Sequence, residues 1–211
     1  MGYTSKRDFD KDAATWDDNP ARVSLMGKVA EALMANVAID EYTAVLDYGA
    51  GTGLVSFALA PYAGSVTAAD SSEGMLAKLR EKALSSGLET VSTLLLDLEH
   101  QPVPESRFDV VVSTMVMHHI DDAAGVIARL ALLLKNGGCL AIADLDSDGG
   151  DFHADPAGVA HNGFERDEMK QYFRDAGLAD VCDVTAVTFR KDVPGKGLRP
   201  FSIFLITGRI I

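Results

Sequence analysis

The β-branched run Thr43 to Tyr48 enters a glycine-rich turn, Gly49-Ala50-Gly51-Thr52-Gly53, and leaves it as a helical pattern, Leu54 to Ala60. A second apolar run, Ser65 to Ala69, then ends at Asp70. This order constrains the chain more than any other feature, because strand–turn–helix–strand units build a mainly parallel sheet with helices on its faces. The alternation continues. Gly74 to Ser85 reads as a helix, with Met75, Leu79 and Ala83 at helical spacing, and Val91 to Leu96 as a strand ending at Asp97. Phe108 to Ser113 is an apolar strand. Asp121 or Asp122 can cap a helix running to about Leu134, with Asn136-Gly137-Gly138 as its stop. Cys139 to Ala143 is a fifth strand, Arg166 to Ala176 a helix stopped by Gly177, and Val181 to Phe189 and Phe201 to Thr207 two final strands. Ahead of the first strand, Asp17 to Val37 reads as one helix with Val23, Met26, Val29, Ala30 and Leu33 on a single stripe. The expected fold is a single doubly wound α/β domain over residues 1–211. Residues 1–40 form an N-terminal helical cap segment and residues 41–211 the α/β core.

Composition narrows the function classes. In 211 residues, 19 Lys and Arg stand against 31 Asp and Glu, a formal net charge of −12. That argues against general affinity for nucleic acid or anionic membrane and, weakly, favours cationic small molecules. Cys139 and Cys182 each sit in an apolar stretch, which predicts two buried reduced thiols and excludes a disulfide framework. No apolar run reaches the length of a spanning helix. The segment Met1-Gly2-Tyr3-Thr4-Ser5-Lys6 has no apolar signal core, so a cytoplasmic location is expected. Nothing in the sequence decides the oligomeric state.

Glycines in the turn let the backbone bend tightly and approach a ligand, and the helix start behind them offers unpaired N–H groups. Asp70, at the end of the next strand, can accept hydrogen bonds from ribose hydroxyls. A dinucleotide site and an adenosyl site both suit this geometry. The dinucleotide fingerprint G-x-G-x-x-G would place its third glycine where this chain has Leu54. The observed pattern is G-x-G-x-G, preceded by Asp47.

That pattern resembles the first motif of the class I S-adenosylmethionine (SAM)-dependent methyltransferases, with a core similar to the enzymes of ubiquinone and menaquinone biosynthesis. The resemblance continues through Asp70-Ser71-Ser72-Glu73-Gly74-Met75-Leu76, Asp97-Leu98, Phe108-Asp109-Val110-Val111-Val112 and Leu133-Leu134-Lys135-Asn136-Gly137-Gly138. It covers roughly residues 43–145, and His161 to Gly177 looks like the family's late helix. It implies a mainly parallel seven-stranded sheet with the last strand inserted antiparallel beside the fifth. It also implies roles. Gly49, Ala50 and Gly51 would pass under the methionine part of SAM, and Asp47 would support its amino group. Asp70 would hold the ribose hydroxyls, and Ser71 and Met75 would flank the adenine. Asp97 would accept from the adenine amino group, with Leu98 packed on the ring, and Met115 would lie near the sulfonium. S-adenosylhomocysteine (SAH) would be the product. Aspartate is also common at helix caps and turns, the ordinary alternative for each carboxylate.

Positioning alone can carry much of a methyl transfer, and a base adds to it when the acceptor bears a proton. His118 and His119, in Met115-Val116-Met117-His118-His119-Ile120, follow the fourth strand, where a base or an acceptor-orienting group is expected. Tyr3 and Trp16 are candidates for a lid or pocket wall, as an aromatic face attracts a sulfonium or ammonium. His153 and His161, in the long acidic loop from Asp144 to Gly163, are candidates for the acceptor side. Asp144-Leu145-Asp146-Ser147-Asp148-Gly149 matches the start of a calcium loop. However, a strand precedes it, Phe152 supplies no ninth-position ligand and Asp155 stands where Glu is usual. The expectation is no metal and a solvated acidic loop at the pocket mouth, able to attract an amine. Arg190 to Arg199 reads as a solvated hairpin turn. The expected partner is a small-molecule methyl acceptor of unspecified identity. A non-catalytic SAM-binding protein acting through a partner, or another SAM-type transferase on the same fold, are the alternatives.

Overall fold

Asn19 stands before a proline with extended backbone, and its side chain accepts from the N–H groups of Ala21 (3.0 Å) and Arg22 (3.2 Å). A residue preceding proline avoids helical backbone, asparagine caps well, and proline suits the first helical turn. Helix α2 therefore runs Pro20–Asn36. The helix expected from Asp17 is split here. Residues before Asn19 form a short helix, α1, Phe9–Asp12, and a 3-10 segment, Ala13–Asp18. Met26, Val29, Ala30 and Leu33 are buried, whereas Val23 is 38% exposed and lies off the stripe assigned to it. The computed structural model describes residues 8–211, so Tyr3 lies outside the described residues.

Seven strands form one sheet: β1 (Ala44–Tyr48), β2 (Ser65–Asp70), β3 (Val91–Leu95), β4 (Phe108–Thr114), β5 (Leu134–Leu145), β6 (Ala179–Val193) and β7 (Gly197–Arg209). Their order is β3-β2-β1-β4-β5-β7-β6, with β1 to β5 parallel and β7 antiparallel to both β5 and β6. The doubly wound sheet and the antiparallel last strand are as expected. Helices α3 (Leu54–Leu59), α4 (Glu73–Ser86), α5 (Ala123–Ala131) and α6 (Arg166–Asp175) complete the fold. Successive β1 residues serve opposite faces, as the strand period of two requires. Val45 packs with Val29, Leu33 and Leu59 on one side, and Leu46 with Ile127, Leu130 and Phe204 on the other.

Three local expectations change. Asn136-Gly137-Gly138 is not a helix stop. Helix α5 ends at Ala131, and the glycine pair lies inside β5, where Gly137 N–H donates to Ile210 O (3.1 Å) and Gly138 O accepts from Ile210 N–H (3.0 Å). The final turn is tighter than Arg190 to Arg199, because Arg190, Lys191 and Asp192 pair in register with Pro200, Arg199 and Leu198. Cys139 is buried but Cys182 is exposed, since β6 is an edge strand with one face outward. Among the described residues no helix is long and apolar enough to cross a membrane.

The parallel strands all finish on one edge. That edge receives the glycine turn after β1, Asp70 at the end of β2, Asp97 after β3, Met115 to His119 after β4, and Asp144 near the end of β5. It is the crevice in which open α/β sheets bind ligands.

Candidate active site

The N–H groups of Gly49 and Ala50 both donate to Ala69 O (2.7 and 2.9 Å), drawing the glycine turn against the end of β2. A Cβ on Gly49, whose φ is +74°, would lie 2.2 Å from Val116 Cγ2. Gly51, at φ +55°, faces open space instead. A Cβ there would meet nothing nearer than Trp16 Nε1 at 3.9 Å and Met75 Sδ at 4.0 Å. Asp70 grips this cradle, accepting from Gly51 N–H through Oδ2 (2.7 Å) and from Ser72 N–H through Oδ1 (2.9 Å). Burial raises the Asp70 carboxyl above its ordinary value, against the pull of those backbone hydrogen bonds.

Asp47 is completely buried beneath the turn. Its Oδ2 accepts from Ser56 Oγ (2.6 Å), while Oδ1 has no hydrogen-bond partner. Desolvation pushes its pKa up to about 6, more than the Ser56 hydrogen bond can offset, and the charge of Asp70 adds to the rise. A buried carboxylate oxygen without a donor is costly, and a donor-bearing cationic ligand group would relieve it.

Ser71 is exposed, and its neighbour Ser72 caps α4, accepting from Met75 N–H (3.1 Å). Met75 is buried under Gly51. Asp97 is half-buried, with Oδ1 accepting from Glu99 N–H (2.9 Å) and Oδ2 from His100 Nδ1 (2.8 Å). Leu98 is fully buried, and its N–H donates to the Tyr48 hydroxyl at 3.1 Å. Burial pushes that hydroxyl up to about 12, more than the Leu98 hydrogen bond lowers it. Tyr48 thus ties the residue before the glycine turn to the loop after β3. In sequence it reads only as the last residue of a strand.

The N-terminal segment lies across the turn. Trp16 covers Gly51, Phe9 meets Trp16 edge-on at 5.9 Å, and the Arg22 guanidinium stacks on the indole at 3.9 Å. The aromatic face predicted to attract a ligand cation is therefore already stacked by one of the chain's own. Two carboxylates fasten the segment. Asp10 accepts from Ser72 Oγ (2.5 Å) and Gly74 N–H (2.8 Å), and Asp17 from Thr52 Oγ1 (2.6 Å) and Lys82 Nζ (2.7 Å).

Beyond Met115, a non-glycine residue at φ +57°, the chain turns into the two histidines. His118 is 1% exposed, and its Nδ1 donates to Asp144 Oδ1 at 2.6 Å. Burial alone would drive the Asp144 carboxyl up, but its pairing with His118 and the hydrogen bonds from His118 and Leu145 hold it below its ordinary value. His119 donates through Nδ1 to Gly158 O (2.6 Å). The rings of His118 and His119 lie 4.1 Å apart, and His153 packs on both, at 4.9 and 5.7 Å. His161 does not join these ring contacts. It donates to Ile120 O (2.9 Å) and stacks on Phe164. The partner of His118 was legible only as the first Asp of a calcium-like loop. In the fold two of that loop's carboxylates, both partly buried, also hold partners within the chain, while Asp155 is exposed. Asp146 takes Arg166 through two bonds of 2.7 Å and Ser202 at 2.6 Å, and Asp148 takes the N–H groups of Gly150 and Phe152.

A family model described as a methyltransferase domain matches residues 45–138. An uncharacterized methyltransferase of Schizosaccharomyces pombe is 33% identical over 65% of this chain and 54% of its own length. A ubiquinone biosynthesis O-methyltransferase of Hydrogenovibrio crunogenus is 28% identical over 62% of this chain and 55% of its own. The chain thus matches about half the length of these two relatives. The fold is shared with the crystal structure of a SAM-dependent methyltransferase from Aquifex aeolicus, at a TM-score of 0.70, 23% identity, and coverage of 96% of this chain and 98% of that one. The glycine cradle, the carboxylate-lined crevice and these likenesses agree: residues 45–138 are similar to a methyltransferase domain, carried on a fold shared with a SAM-dependent methyltransferase.

Proposed function

We propose that the chain transfers a methyl group from SAM to a small-molecule acceptor by in-line displacement, mainly through positioning, with His118 as the base. The carrying observation is the pairing of an open glycine face at Gly51 with a buried, donor-less Asp47 Oδ1 directly below the turn. A cationic amino group on the ligand meets both needs. Asp70 and Asp97 stand at the next two strand ends, spaced to take ribose and adenine. Met75 and Leu98 supply apolar surface for the ring, and Trp16 and Phe9 exclude water.

When bound, SAM supplies a methyl carbon made electrophilic by its sulfonium. His118 presents Nε2 as a proton acceptor, because Nδ1 carries the proton held by Asp144. His119, tied to Gly158, holds the loop carrying that imidazole.

The test is calorimetric titration with SAH, NADH as the control, and a methyl-donor turnover assay on the same protein. Saturable SAH binding with a raised Tm, and no NADH binding, is expected, with the rise in stability growing as RT ln(1 + [L]/Kd). Binding of NADH and not SAH would overturn the reading. SAH binding without turnover on any acceptor would favour a non-catalytic SAM-binding role.

A further inference from the structure

His153 Nε2 is buried and has no hydrogen-bond partner. The ring sits between Phe152 (4.8 Å) and His118 (4.9 Å), at the junction of the loop after β5 and the loop after β4. A buried polar atom with no partner is costly, and it persists where a ligand completes it. Two permanent charges face it, Lys191 and Asp148. Burial, the largest cause, holds the imidazole down to about 4 and the charge of Lys191 adds to it, while Asp148 pulls the other way; the His118 and His119 rings face it as well. Asp148 is already bonded to two backbone N–H groups, and Asp144 to His118. Lys191 lies 4.3 Å over the Phe152 ring and donates to Phe152 O. Phe152 in turn packs on Phe189 and Phe201. The wall beside His118 is therefore aromatic and carries the Lys191 ammonium, and its carboxylates, Asp144 and Asp148, already hold donors of the chain's own.

We propose that His153 receives the acceptor's reacting group through Nε2 and that the acceptor is a planar hydroxyl compound, a phenol or enol, in place of an amine. The proposal rests on the methyltransferase reading and names the substrate class of that same site. The acceptor oxygen forms a bond to the methyl carbon as the carbon–sulfur bond breaks, and the bonding pair leaves with sulfur. The hydroxyl proton passes to His118 Nε2, so the positive charge lost from the sulfonium reappears on an imidazolium already paired with Asp144. His153 stays neutral and holds the oxygen by a hydrogen bond. An ammonium acceptor would carry its charge into a wall that already holds Lys191, and would need a free carboxylate that the described residues do not offer there.

The test uses the SAH-loaded protein with two probes, 4-nitrophenol and 4-nitrobenzylamine, titrated by calorimetry. 4-Nitrophenol is expected to saturate and to bind about tenfold more tightly than the amine. His153→Phe keeps an aromatic ring of similar size but removes the nitrogen. It is expected to weaken 4-nitrophenol about tenfold while leaving SAH affinity within about twofold. His153→Gln, which restores a polar nitrogen, is expected to recover most of that loss. Amine binding equal to or tighter than the phenol, no saturable phenol binding, or equal phenol affinity in the Phe variant would each overturn the acceptor class. SAH itself is titrated first. Absence of that binding would overturn the methyltransferase reading and this proposal with it, whereas SAH binding with an amine preference overturns this proposal alone.

Discussion

Asp17 and Lys82, 65 residues apart in the chain, meet at 2.7 Å beside the glycine turn, and Lys82 Nζ also donates to Thr52 O at 2.8 Å. A carboxylate from the N-terminal segment and an ammonium from α4 thus close over the glycine turn. Asp17→Ala removes two charge-assisted bonds at a site only partly shielded from water, and is expected to cost about 1 kcal/mol of stability. Its larger effect falls on exchange, since the segment carrying Trp16 loses its fastening. SAH release is expected to quicken about tenfold. Trp16 is the chain's one tryptophan, so stopped-flow fluorescence reads the event directly. An unchanged release rate would show that the segment does not gate the crevice.

Two glycines of one motif should respond to alanine in opposite ways. Gly49→Ala drives a methyl group into Val116 and holds alanine at positive φ, a combination expected to cost about 2–4 kcal/mol. Val116→Ala should recover part of that loss in a double-mutant cycle. Gly51→Ala meets no such collision and should cost about 1 kcal/mol, mostly from its φ. Yet it fills the cradle and should reduce SAH affinity at least tenfold. Thermal melts beside calorimetry separate the two.

The carboxyl of Asp47 binds its proton more tightly in the folded protein, with a pKa of about 6 against an ordinary 3.8. A raised folded pKa adds stability that is fully present below the unfolded value and is lost as pH rises through the folded one. At neutral pH the ionised, buried group is therefore a burden of about 3 kcal/mol in the ligand-free protein. Asp47→Asn should flatten the stability profile between about pH 4 and pH 6 and raise Tm at neutral pH, while weakening SAH binding. A denaturant series across pH checks it, and an unchanged slope would place the titrating group elsewhere.

Asp144→Ala strands a buried imidazole without its partner, and is expected to cost about 3–5 kcal/mol. Asp144→Asn preserves a polar contact at Nδ1 and should fold better, yet lose most turnover because it no longer specifies the tautomer that leaves Nε2 basic. Equal turnover in the Asn variant and the parent would remove the His118–Asp144 pair from the chemistry.

Asp70→Ala releases both Gly51 N–H and Ser72 N–H, so it should abolish or greatly weaken SAH binding while the sheet stays folded. Unchanged affinity in calorimetry would refute its role at the ribose.

The parts of the fold that the sequence states clearly are those with local causes. Alternating apolar runs gave the parallel strands, and Gly49 to Gly53 with Asp70 and Asp97 marked one sheet edge. What stayed hidden depends on long-range packing. Asn136-Gly137-Gly138 looks like a helix stop, and only the arrival of Ile210 turns it into part of a strand. Cys182 reads as buried until β6 is known to be an edge. Asp144 acquires its meaning only when β5 brings it under the β4 loop and against His118. The Asn19–Pro20 break was readable from its cap and its proline, and was masked by apolar spacing that runs through it.

Because β7 lies between β5 and β6, the 15 residues of β6 have no place in the sheet until the strand that follows them is in position. A chain cut back to Pro194 would keep strands β1 to β5 and leave β5 with an unpaired edge and β6 untethered, open to protease. Residues 197–209 double back from the 194–196 turn between β5 and β6, so a strand that comes later in the chain is the wedge that locks the earlier one to the sheet.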